Sequence, residues 1–192
     1  MVTKMDELQY LKRDGFRGET MIVLPTESFL DYVEHPLVKR LYLTDVGFFP
    51  RAEHHFRERK DGIEEYIYMY CMEGSGTIEV DGEKIYAPCK PGLLHSTFSR
   101  PSVLCQRKDP WSILWVHFKG TDTEYYPLEE CRLINFNSQN ATNRMQFLFE
   151  LLFRVLESNY TLGNFIYISQ VLEMILSENL LQRKTQHHPG TE

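Results

Sequence analysis

The sequence predicts a mainly β fold with a C-terminal α portion: a small barrel or double-sheet jelly roll, then an antiparallel helical hairpin. Three observations carry this. Between about residues 40 and 120, short runs rich in Tyr, Ile, Val and Trp alternate with glycine turns. After about residue 138 the apolar spacing switches to that of helices. The 192 residues suffice for one well-buried domain with a helical appendix.

Residues 1 to about 50 read as a leading arm with some strand character, strongest in RLYLTDVGFF (40–49). The polar stretch RAEHHFRERKDG (51–62) ends in the turn signal Asp61-Gly62. EEYIYMYC (64–71) then alternates Tyr66, Tyr68 and Tyr70 against Ile67, Met69 and Cys71. Both faces are bulky, as a strand in a barrel or sandwich requires. TIEV (77–80) and EKIY (83–86) flank Asp81-Gly82, a strong hairpin signal. WSILWVHF (111–118) is apolar on both faces, with Trp111, Ile113, Trp115 and His117 sharing one of them. The helical stretches are 141–158 and 164–184, separated by a break at Asn159 to Gly163. The second is apolar around much of its circumference. A helix lying on a barrel needs one apolar stripe, so the surplus, Ile168, Val171, Leu172, Ile175 and Leu176, is expected to join a second copy of the chain. The division is therefore an arm plus barrel over 1–137, a dimerisation hairpin over 138–184, and a polar tail over 185–192.

The formal net charge is -6, and the basic residues near Arg51, Arg57, Arg59 and Lys60 are surrounded by acids. This excludes a tight grip on DNA by these residues themselves. No apolar run reaches the roughly 18 residues of a membrane span, and the charged N-terminus is not a signal peptide. The four cysteines form no C-x-x-C pair, so they read as buried thiols of a cytoplasmic protein.

The run HHFRERKDGIEEYIYMYCMEGSGTIEVDGEKIY, followed by DPWSILWVHFKG, resembles the N-terminal domain of AraC-family transcription regulators. That pattern is an Arg-rich segment, a Tyr-rich strand, E-G-x-G, a hairpin, and PW-x-x-x-W-x-H-F-x-G. The resemblance covers residues 40–120 and extends loosely to the hairpin. It implies a cupin-like jelly-roll barrel that binds a small effector, often a sugar or related metabolite, with a helical pair that makes a homodimer. It also implies an arm that orders over the barrel mouth, and a separate C-terminal domain with helix-turn-helix units that reads DNA. That domain is not in this chain, so contact with DNA is expected only through it.

Residues 87–108 depart from the family pattern. Their strand alternation is poor and their Cys, Pro and Ser content is unusual for a barrel interior. Codons able to encode residues 101–108, read one nucleotide later, can spell HPYYASEK. The preceding codons can spell a run such as DYYILP. Both strings are close to what the family places before its Asp-Pro-Trp. We therefore expect this stretch to be out of frame, with the frame restored near Asp109.

For ligand binding, the resemblance puts an Arg at the position of Arg59 against the effector, where a guanidinium fork can take hydroxyls or a carboxylate. Trp115 can stack on a sugar ring, and His117 shares its face. Trp111 and Tyr66 complete the expected ligand-binding set. Metal-binding cupins place two histidines one residue apart. His54 and His55 are adjacent, so one points in and one out, and His95 falls in the atypical segment. No metal, cofactor or catalytic residue is expected. The competing readings are a metal-dependent cupin enzyme and a non-functional truncated or frameshifted product.

Overall fold

The computed structural model describes residues 10–59, 62–80, 82–87, 92–96, 102–105, 109–128, 133–136 and 138–186. In chain order the elements are β1 (Thr20–Val23), a short α1 (Thr26–Phe29), β2 (Tyr42–Phe49), β3 (Phe56–Glu58) and β4 (Tyr66–Glu73). Next come β5 (Gly76–Val80), β6 (Glu83–Ala87), β7 (Gly92–Ser96), β8 (Ser102–Cys105), β9 (Ser112–Lys119) and β10 (Leu133–Asn135). The chain then forms α2 (Gln139–Leu156) and α3 (Leu162–Gln186).

The strands make two sheets. One has six strands in the order β1-β2-β9-β4-β7-β10, and the other has four in the order β3-β8-β5-β6. Their recorded pairings are antiparallel. Consecutive strands repeatedly cross from one sheet to the other, and the helices follow as a hairpin. This is the mainly β jelly roll with C-terminal α that the sequence predicts. The atypical segment contributes β7 to one sheet and β8 to the other. Ala87 ends β6, and the segment's residues 88–91, 97–101 and 106–108 lie outside the described residues, as do residues 1–9 and 187–192.

The central strands β4 and β9 of the six-stranded sheet are buried on both faces, which explains why both of their faces are bulky. Ile67, Met69 and Cys71 of β4, with Ile113 and Trp115 of β9, face the four-stranded sheet and meet Ile78. Tyr68 and Tyr70, with Leu114, Val116 and Phe118, face the helices. The layers are thus four-stranded sheet, six-stranded sheet and helical hairpin. Burial of this much apolar area, at about 25 cal/mol per Å², is the main force holding the layers together.

Ser138 starts α2: its hydroxyl oxygen accepts from the Ala141 amide at 3.1 Å, satisfying one of the helix's orphan donors. The two helices are clamped by Arg144, which donates to both carboxylate oxygens of Glu178 at 2.9 and 2.6 Å.

The structure corrects the expected dimer contacts. Ile168, Val171, Leu172, Ile175 and Leu176 are at most 3% exposed and lie in this chain's own core. The reason is geometric. α3 packs against α2 and also against β2 and β10, so its broad apolar surface covers two neighbours within one subunit. Its exposed side carries Gly163, Tyr167, Gln170, Met174, Ser177 and Leu181, alternately four and three residues apart.

Candidate functional site

The space between the two sheets opens into a pocket built by strand alternation. His55, Arg57 and Arg59 are spaced by two, as are Ile113, Trp115 and His117, and the members of each set share a face. All six line the inner part of the pocket, with Phe49, Ile67 and Met69. Arg57, Trp115 and His117 also border an outer chamber of about 570 Å³, counted to its open mouth. Asp14, Asp45 and Glu65 add carboxylates there, and Met21, Val23 and Ile63 add apolar wall.

Trp115 is 5% exposed. Its ring lies against Gly47, its register partner on β2. A Cβ at position 47 would collide with that ring, so glycine is required there by close approach. Phe49 also packs against the Trp115 ring at a tilt, with ring centroids 5.4 Å apart. The Trp115 Nε1–H is buried and has no acceptor among the described residues.

His117 connects two kinds of charge. Its Nδ1 lies 3.4 Å from Asp45 Oδ2 and 3.5 Å from Glu65 Oε2. Its Nε2 lies 3.5 Å from Arg59 Nη2. A nitrogen facing two carboxylates is the donor, which leaves Nε2 to accept from Arg59. Burial pushes the Asp45 carboxyl up, but the hydrogen bonds from His117 and Thr44 outweigh it and hold the group below the usual carboxylate range. The hydrogen bond from His117 likewise lowers Glu65. Burial, reinforced by Arg57, pulls Arg59 down to about 10.

His55 sits deeper. The Trp111 indole donates to its Nδ1 at 3.3 Å, so its remaining proton is on Nε2. Burial, and then Arg57 and Arg59, depress it to about 3. It is therefore a neutral ring at neutral pH.

Of the five residues expected to bind ligand, Arg59, Trp115 and His117 come together in the pocket. Trp111 lies in the same barrel core, 1% exposed, where it orients His55 but does not line the pocket. Tyr66 is on the opposite face of β4 and stacks on Phe118. His54 and His55 do diverge: His55 is buried, and His54 packs beside Tyr10. Sequence reasoning missed Asp45 and Glu65. One signal was present, an Asp inside the otherwise apolar strand YLTDVGFF. The register pairs Asp45 directly with His117.

The arm borders this site. Lys12 exchanges backbone hydrogen bonds with His54 and Phe56 at 3.1 and 3.0 Å. Phe16 is buried against Phe49 and His55. A wider groove, about 980 Å³ to its open side, runs between α2 and the six-stranded sheet, past Phe48, Phe149 and Phe153. Its charges, Glu150, Arg154 and Glu157, belong to exposed positions on or next to α2.

No protein-family model matches the chain. In sequence it is similar to the MmsAB operon regulatory protein of Pseudomonas aeruginosa, 28% identical over 167 residues, which cover 78% of this chain and 50% of that protein. The chain thus spans about half the length of the curated relative it matches. Among solved structures it is similar to apo ToxT from Vibrio cholerae, at 11% identity and TM-score 0.49, over 77% of this chain and 58% of that one. A Cupin 2 conserved barrel domain protein from Salinispora arenicola gives 12% identity and TM-score 0.37, over 65% of this chain and 93% of that one. No helix among the described residues is long and apolar enough to cross a membrane.

Proposed function

We propose that this chain, a cupin-like N-terminal domain of the AraC type, is the sensing and dimerising part of a bacterial transcription regulator, responding to a carbohydrate-related metabolite. The observation that carries this reading is the pocket itself. It joins an aromatic wall, Phe49 and Trp115, to donors on Arg59 and acceptors on Asp45 and Glu65. Carbohydrates need that combination, because a ring has apolar C–H faces and a rim of hydroxyls. The effector acts by favouring one of two arrangements of the arm and subunits. Phe16 and Asp14 tie the arm to the pocket wall, so an occupant touches both. A cytoplasmic home belongs to this reading. Contact with DNA is not proposed for these residues, given their charge of -6.

Two copies are proposed to meet through the exposed seam of α3. Tyr167, Met174 and Leu181 are 42%, 56% and 55% exposed and recur every seventh residue. Gly163, Gln170 and Ser177 alternate with them, the four-three spacing of a coiled-coil seam.

Thermal denaturation against a carbohydrate panel tests the sensing role. A binder raises the midpoint of the native chain and leaves Trp115→Ala unmoved. A folded sample that no panel member stabilises contradicts the proposal.

A second reading, a metal-dependent cupin enzyme, rests on one observation. One ligand atom from each of Asp45, Glu65 and His117 lies within 4.8 Å of the others, a set that suits a divalent transition metal. The neighbouring guanidinium of Arg59 opposes a cation there, so we favour the sensor. Stoichiometric iron, manganese or zinc in the purified protein would reverse that preference.

A further inference from the structure

The proposed sensor pocket has a polarity along its depth. Among the described residues, the inner part carries donors and no carboxylate. Arg57 and Arg59 are cations, and His55 offers only Nε2–H because its Nδ1 accepts from Trp111. Trp115, whose Nε1–H has no acceptor among the described residues, belongs to the same wall. Among the described residues, the carboxylates lie in the outer chamber, as Asp14, Asp45 and Glu65.

The guanidinium of Arg59 is partly buried and its Nη2 lies 3.5 Å from Nε2 of His117. It forms no ion pair within 4 Å among the described residues. A partly buried cation with no anion in direct contact carries a desolvation cost that Glu65 and Asp45, farther off, offset only in part. Burial and Arg57 have already lowered its proton affinity, so this wall would gain from an incoming negative charge. A planar fork matches a carboxylate through two parallel N–H···O bonds. The outer carboxylates repel a second negative charge and accept from hydroxyls. A neutral sugar can accept from Arg59 but leaves its charge unmatched, and a fatty acid leaves Asp45 and Glu65 without donors.

We propose that the effector is a polyhydroxy carboxylate of the sugar-acid class, bound with its carboxylate inward on Arg59 and its hydroxyls outward toward Asp45 and Glu65. The assignment rests on the sensor reading and adds the ligand's charge and direction. Calorimetry on the folded chain, with glucose against glucuronate, galactose against galacturonate, and decanoate as an acid lacking hydroxyls, tests it. In whichever sugar pair binds, the acid binds at least tenfold more tightly than its neutral partner. Arg59→Gln brings the two to within twofold, and Arg59→Lys restores part of the preference. Asp45→Asn weakens acid and sugar alike. Equal affinity within a pair, or a preference that survives Arg59→Gln, overturns the ligand class while the sensor reading stands. Decanoate binding more tightly than either uronate also overturns it. If no probe binds a sample with a native near-ultraviolet dichroism spectrum, the sensor reading fails and this assignment fails with it.

Discussion

At Gly47 the absence of one methyl group lets Trp115 occupy the pocket wall. The Cβ of an alanine there overlaps the indole ring, so Gly47→Ala forces the ring or β2 to shift. Overpacking of this kind costs about 1–3 kcal/mol. A urea midpoint lowered accordingly, with a changed near-ultraviolet signal, is the expected result. An unchanged midpoint contradicts this packing.

His55 makes the fold acid-sensitive. Its folded value, about 3, lies below the ordinary 6.5. The unfolded chain therefore takes up this proton first, and protonation favours unfolding. The stability that a neutral His55 provides is complete above about pH 6.5. It drains away as pH falls toward 3. Asp45 and Glu65, both held low, lose their contribution in the same direction and at lower pH. Unfolding free energies from denaturant titrations between pH 7 and 4.5 should fall in the native protein, by up to about 1.4 kcal/mol per pH unit from His55. They should fall less in His55→Gln. Parallel curves contradict a neutral, buried His55.

At the scale of elements, α3 presents two unlike faces. Ile175 is fully buried and Met174 is 56% exposed. Ile175→Ala opens a cavity against the sheet and costs about 2–5 kcal/mol. Met174→Glu leaves the subunit's fold intact but puts a charge in the proposed seam. Sedimentation of Met174→Glu is expected to show monomer where the native chain shows dimer, with thermal stability otherwise kept. A dimer that survives Met174→Glu moves the interface elsewhere.

Strand alternation made much of this architecture readable before any coordinates. EEYIYMYC and WSILWVHF announced two buried faces, and the Asp-Gly turn placed the β5–β6 hairpin. The helices were readable from spacing, but the partner of α3 was not. A broad apolar surface reads the same whether it covers a sheet and a sister helix or another subunit. β7 and β8 were hidden because their residues lack the period of two. The site was half visible. Arg59, Trp115 and His117 came from resemblance and parity, whereas Asp45 and Glu65 join His117 only through the β2–β9 and β4–β9 register. Register is a long-range property that a linear pattern does not contain.

For the whole molecule, the three layers put the proposed sensor pocket on one side of the six-stranded sheet and the proposed dimer seam beyond the other. Two sites on one rigid sheet can share a two-state equilibrium. The atypical segment bears on this, because β7 pairs with β4 beside the pocket wall. The encoding DNA across residues 87–108 is expected to spell DYYILP-like and HPYYASEK-like strings when read one nucleotide later. Codons incompatible with those strings contradict the shifted frame.

The central claim is that the effector meets Trp115. The chain has two tryptophans, so 5-fluorotryptophan labelling gives two fluorine resonances, which Trp111→Phe assigns. Titration with the ligand found by calorimetry should move the Trp115 resonance saturably and leave that of Trp111 nearly still. A ligand that binds while the Trp115 resonance stays unmoved would contradict the account.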